Sequence, residues 1–186
     1  MNNGTQDLPS GAPSEERPFA VQTFTALYDP IEDRICLNAV DATGAKQAIY
    51  LTRRLMDQII PVVAKHLEEK TPKGVPADVV QSMTQERVRQ ARKAEPPAEP
   101  VQADLETPRW LCTTIQMSKQ PAGLAVTLTG DAACKAKIPL ADPHLRTVLD
   151  IFRNSYAKAG WDLRVFPEWL GSEQAAAGQG AQVRLN

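Results

Sequence analysis

The chain has 186 residues, a formal net charge of -1 and a sequence pI near 6.1. No run of about 18 apolar residues occurs, which argues against a membrane-spanning helix. Near-zero charge argues against generic polyanion binding, and residues 1–18 lack the apolar core of a secretory signal, so the expected location is cytoplasmic.

Leu, Ile, Val and Phe are 41 of the 186 residues, close to the level at which chains stop folding. They are strongly segregated. Residues 1–18 contain one and residues 171–186 contain two. Residues 70–108 contain six, together with six prolines. Such stretches bury too little apolar area to offset the entropy of ordering them, so they are expected to be a tail (1–18), a linker (70–108) and a flexible tail (171–186). Residues 19–69 and 109–170 carry an ordinary globular load.

In chain order, residues 19–28 alternate with a period of two and are rich in β-branched and aromatic types, which predicts a strand. Asp29, Pro30, Ile31, Glu32 and Asp33 form a turn, with Pro30 fixing φ. Residues 34–40 and 46–51 are two further strands around a hairpin turn at 41–44. Thr52 then suits a helix N-cap, and Leu55, Met56, Ile59, Ile60, Val63 and Leu67 form one apolar stripe, with Pro61 inside it. Residues 77–94 lack Gly and Pro, and Val79, Val80, Met83 and Val88 give a weak stripe, so the linker includes a short amphipathic helix.

The same order recurs. Residues 110–117 and 124–129 read as strands, and Cys134 to Ile138 as a third. A helix follows, with Asp142 as its N-cap, Pro143 at its first position and Gly160 at its end. Leu163, Val165 and Phe166 suggest a fourth short strand. The expected fold class is therefore α+β: two β-β-β-α units, a pseudo-repeat, each an antiparallel sheet with one covering helix. The first spans 19–69 and the second 109–170, joined by the Pro-rich, charged, partly helical linker.

The sequence offers no catalytic constellation. His66 and His144 lack ligand-like neighbours at helical spacing, and the three cysteines, Cys36, Cys112 and Cys134, have no CxxC spacing. No phosphate-loop, dinucleotide or zinc-protease motif occurs. No catalytic residue, metal site or cofactor is assigned.

Arg53 and Arg54 break a local rule: they sit in the first turn of a helix, where positive charge opposes the dipole. They are candidate partner-binding residues, with Tyr28 and Arg34 beside the preceding turn. Trp110, Trp161 and Trp169 form a second candidate patch, since Trp and Arg dominate interface energies. The expected function is a non-catalytic interaction or assembly protein whose partner is another protein or a second copy of itself. The first alternative is single-stranded nucleic-acid binding. The repeated sheet-plus-helix order resembles, in architecture, the PUR and Whirly families of single-strand binders. That reading needs Arg109, Lys119, Lys135, Lys137 and Arg164 of the second unit to form one basic face. The second alternative is a small-ligand or enzymatic cleft between the units.

Overall fold

The computed structural model describes residues 17–96, 98–171 and 181–185. The expected tail over 1–18 falls almost wholly outside the described residues, as does most of 171–186. The strands are β1 (Phe19–Ala20), β2 (Thr23–Asp29), β3 (Arg34–Val40), β4 (Lys46–Leu51), β5 (Arg109–Gln120), β6 (Gly123–Gly130), β7 (Lys135–Ala141) and β8 (Ala181–Arg184). The helices are α1 (Arg53–Glu68), α2 (Ala77–Ala94) and α3 (Asp142–Ala159).

Local chemistry accounts for the element ends. Thr52 Oγ1 accepts from Leu55 N at 3.3 Å and starts α1. The helix runs through Pro61 without being split, and its buried stripe includes Met56, Ile60, Val63 and Leu67. Gly160, at φ 68°, ends α3 in the left-handed conformation that glycine adopts without strain. Two local expectations are corrected. Asp142 is the first helical residue of α3 rather than its cap, and its carboxylate instead receives Lys70 Nζ at 2.6 Å. Leu163–Val165 forms a 3-10 turn, not a fourth strand, because the Asp162 side chain accepts from Arg164 N and tightens the chain.

The strands do not form two sheets. They form one mixed sheet in the order β1-β7-β6-β5-β4-β3-β2-β8. The strand–strand–strand–helix succession does occur twice, but β4 and β5 pair in parallel, Ala48 with Arg109, Ile49 with Trp110 and Tyr50 with Leu111, which fuses the two meanders. A parallel join needs a long crossover, and residues 52–108, with α1 and α2, supply it. The stretch read as a linker therefore carries structure. Its later part runs over the outer face of β2–β4: Val101 N donates to Thr25 Oγ1 at 2.8 Å, and Ala48 N to Pro108 O at 2.9 Å. Thr25, Cys36 and Asn38, on that face, are buried.

The ends of the sheet also meet. Val21 N donates to Lys137 O of β7 at 3.0 Å, while the next residue, Gln22, donates to Val40 O of β3 at 2.9 Å. One short piece of chain thus belongs to both ends, and the sheet rolls around α3, which touches β2 and β8 as well as β6 and β7. Inside the roll is one hydrophobic cluster with members from both halves of the sheet and from α1 and α3, including Phe24, Leu37, Ile49, Met56, Val126, Ile138, Leu149 and Tyr156. β8 adds to β2 with Val183 buried, so part of the expected C-terminal tail is a sheet strand. Among the described residues, no helix is long and apolar enough to cross a membrane.

Candidate functional site

The three tryptophans are buried and their indole N–H groups are all used. Trp110 donates to Gln47 Oε1 at 3.0 Å, Trp161 to Asp33 Oδ1 at 3.1 Å and Trp169 to Glu68 Oε1 at 2.6 Å. Each bond ties elements far apart in sequence. Of the candidate residues, the fold brings Tyr28 and Trp161 together, edge to face with ring centroids 5.6 Å apart. Tyr28 OH donates to the same Asp33 oxygen at 2.8 Å, and this bond holds the Tyr28 pKa above its ordinary value. Behind them the fully buried Tyr156 stacks edge-on against Trp161 and Phe166 and donates to Asp57 Oδ1 at 2.9 Å. This aromatic group closes one end of the core.

Arg34 pairs with Glu32 at 3.3 Å. Arg53 and Arg54 are exposed in the first turn of α1, and Arg53 is near enough to the Tyr156 hydroxyl to favour its ionisation. Trp110 lies apart, with its ring against Gly130 of β6, and Trp169 lies apart beneath α2, with Arg146 5.4 Å above its ring. The basic residues of the second half are dispersed. Lys119 reaches Glu69 at 2.7 Å, Arg164 reaches Asp162 at 2.7 Å, and Arg109 donates to Asp104 O. Lys135 and Lys137 remain exposed along β7.

Two of the thiols, Cys36 and Cys112, are held in their neutral form. Burial pushes the Cys36 pKa up to about 11 and raises that of Cys112. Among the described residues, no group of three or more His, Cys, Asp or Glu side chains is placed to hold a metal ion.

Between α2 and α3 lies a polar seam. The only residues α2 buries fully are Gln81 and Gln85. Gln85 Nε2 donates to Asp150 Oδ2 at 2.8 Å, and its Oε1 has no partner among the described residues. Arg146, 5% exposed, donates to the backbone and side-chain oxygens of Gln81, and burial lowers its pKa. A cleft of about 230 Å³ opens beside it, lined by Lys70, Thr84 and Asp142 among others.

A different feature distinguishes β5. It is 12 residues long, yet β4 covers only Arg109, Trp110 and Leu111 of it. Among the described residues, the side of β5 facing away from β6 has no strand neighbour beyond Leu111. The hydrogen bonds of β6 settle which groups point there. Gly130 N donates to Cys134 O, so Gly130 faces β7, and by alternation Thr129, Thr127 and Ala125 face β5. Their partners Thr114, Gln116 and Ser118 turn their backbones to β6, leaving those of Ile115, Met117 and Lys119 on the open side. A bulge at Thr113 sets this phase. Among the described residues no hydrogen bond reaches those open groups.

The side chains of Ile115 and Met117 point inward. With Ile59 of α1 they line the mouth of a wholly apolar cavity of about 50 Å³, and all three are only partly buried. Thr114, Gln116 and Ser118 are exposed on the outer face. The open edge of β7, by contrast, is guarded. Lys137 O faces β1, so by alternation Pro139, which has no N–H, points to that same side. Sequence periodicity located β5, but nothing local marks where its neighbour stops.

Comparison of the chain with protein-family models, curated proteins and solved structures finds no match in any of the three.

Proposed function

We propose that this chain is a non-catalytic interaction or assembly protein, and that it works by taking an extended polypeptide segment onto the free edge of β5. The observation that carries this reading is the unpaired stretch of β5 lying beside an apolar mouth. Unpaired strand edges are templates for further strands, and folded proteins normally blunt them with charge, proline or a covering element. From Cys112 to Ser118 this edge has neither charge nor proline. α1 lies against its inner side, but a helix uses its own backbone groups internally and does not saturate a strand edge. An incoming strand would pair with Ile115, Met117 and Lys119 and set alternate apolar side chains on Ile59, Ile115 and Met117.

The test is a photo-crosslinking residue placed at Ser118, beside the edge, with a control at exposed Thr43 on the β3–β4 turn. Crosslinked species above the monomer mass are expected from position 118 and not from position 43. Equal or absent crosslinking at both positions would refute strand addition at β5.

A further inference from the structure

We infer that the segment docking on β5 is β5 of a second copy, so that two chains join across a twofold axis into one continuous sheet. This deepens the strand-addition reading and rests on it. Two arguments favour a second copy over a foreign strand.

The first is register and charge. The open groups belong to Ile115, Met117 and Lys119, and an antiparallel copy centred on Gln116 brings Ile115 opposite the second copy's Met117, and the converse. That places open donors against open acceptors and forms about four backbone hydrogen bonds at the axis. Thr114 falls opposite Ser118 and Gln116 opposite itself, so the outer face of the joined sheet stays polar and no like charges meet. The nearest charge, Lys119, is drawn aside to Glu69 at 2.7 Å. An isologous contact of this kind is the commonest route to a closed dimer.

The second is the helix on the inner side. Besides its core stripe, α1 carries Leu55, Ile59 and Val62 at i, i+4 and i+7, of which Leu55 and Ile59 are partly buried and Val62 is 50% exposed. Ile59 shares the mouth with Ile115 and Met117. In the twofold arrangement the two α1 helices lie on the same side of the joined sheet. Ile115, Met117, Ile59 and Val62 of both copies then close the apolar mouths together.

The experiment combines sedimentation velocity with amide exchange on the full chain. The expected result is a concentration-dependent dimer in which the amides of Ile115, Met117 and Lys119 become protected as the dimer forms. Gln116→Glu and Gln116→Lys each place like charges across the axis and should weaken the dimer roughly fivefold, while their equimolar mixture restores it. Gln116 is exposed, so neither change threatens folding. Met117→Pro removes an open-side N–H without removing a bond to β6 and should abolish the dimer.

A monomer whose three amides exchange rapidly at every concentration overturns self-pairing while leaving the edge open to another strand. A monomer with those amides protected means that the edge is already capped, which overturns this inference and the proposed function together. A dimer indifferent to all three variants lies elsewhere and overturns the inference.

Discussion

Arg89 holds Asp150 through two donors on one edge of its guanidinium: Nη2 lies 2.7 Å from Oδ1 and Nε 3.1 Å from Oδ2, across 61 residues of sequence. Asp150 is almost fully buried, and the same guanidinium donates to Leu170 O, so one side chain fastens α2 to α3 and to the segment that follows it. A buried carboxylate that loses its cation is left uncompensated. Arg89→Met should therefore destabilise the protein by about 3–5 kcal/mol, read as a lowered urea midpoint. A loss below about 1 kcal/mol would mean that α2 is held by other contacts.

The shared acceptor Asp33 makes a coupled pair of Tyr28 and Trp161. Tyr28→Phe removes one bond to that carboxylate and should lower the urea midpoint slightly. Trp161→Ala removes a buried ring as well as its N–H and should cost about 3–5 kcal/mol. Because both donors use Asp33 Oδ1 and the rings touch, the double variant should differ from the sum of the singles by at least about 0.5 kcal/mol. Strict additivity in equilibrium unfolding would contradict the shared-acceptor geometry.

Stability should fall as pH rises above about 9. Burial is the main cause that raises the pKa of Tyr156, followed by its bond to Asp57, and burial carries Cys36 to about 11 from an ordinary value of 9.0. In the unfolded chain these groups lose protons first, at about 9 for the thiol and about 10 for the phenol. The unfolded state therefore binds fewer protons there, and the folded state is progressively disfavoured as pH increases. Urea midpoints between pH 8 and 11 should decline. Cys36→Ala should flatten the part between pH 9 and 11, and an unchanged slope in that variant would contradict the assignment.

Gly130 lies under the ring of Trp110. A Cβ there would meet Trp110 Cε3 at 2.5 Å and Leu111 O at 2.6 Å, both too close to tolerate. Gly130→Ala should cost about 1–3 kcal/mol and shift the Trp110 fluorescence, since the ring is displaced from the bulge region of β5. A variant as stable as the parent would show that this contact relaxes freely.

The cysteines should differ in reactivity. Cys36 and Cys112 are buried and held as thiols, whereas Cys134 is partly exposed. Under native conditions iodoacetamide should modify Cys134 first, as read by peptide mass spectrometry. Earlier labelling of Cys36 would contradict its burial.

Much of the local structure was legible in the sequence because it rests on near neighbours. The Thr52 hydroxyl, the apolar stripe of α1 and the left-handed Gly160 act within one or two turns. The 77–94 helix was legible from the absence of breakers, but its attachment was not, since the residues it buries are glutamines that no hydrophobic pattern marks. The candidate site was less legible. Tyr28 and Trp161 do meet, but the tryptophans are buried with their donors used, and the open edge lies at Ile115 and Met117, which read as ordinary strand residues.

The low apolar content thus acquires a specific meaning. The sequence by itself determined two apolar-rich stretches, the alternation of their strands, and the stripes and ends of their helices. The tertiary structure decided that the two stretches share one rolled sheet, that residues 98–108 run over the outer face of β2–β4, and that β5 outruns β4. The physical reason is that strand edges are satisfied by backbone groups from distant parts of the chain. Side-chain periodicity reports which face of a strand is buried and is silent about which edge meets which, or which edge meets nothing.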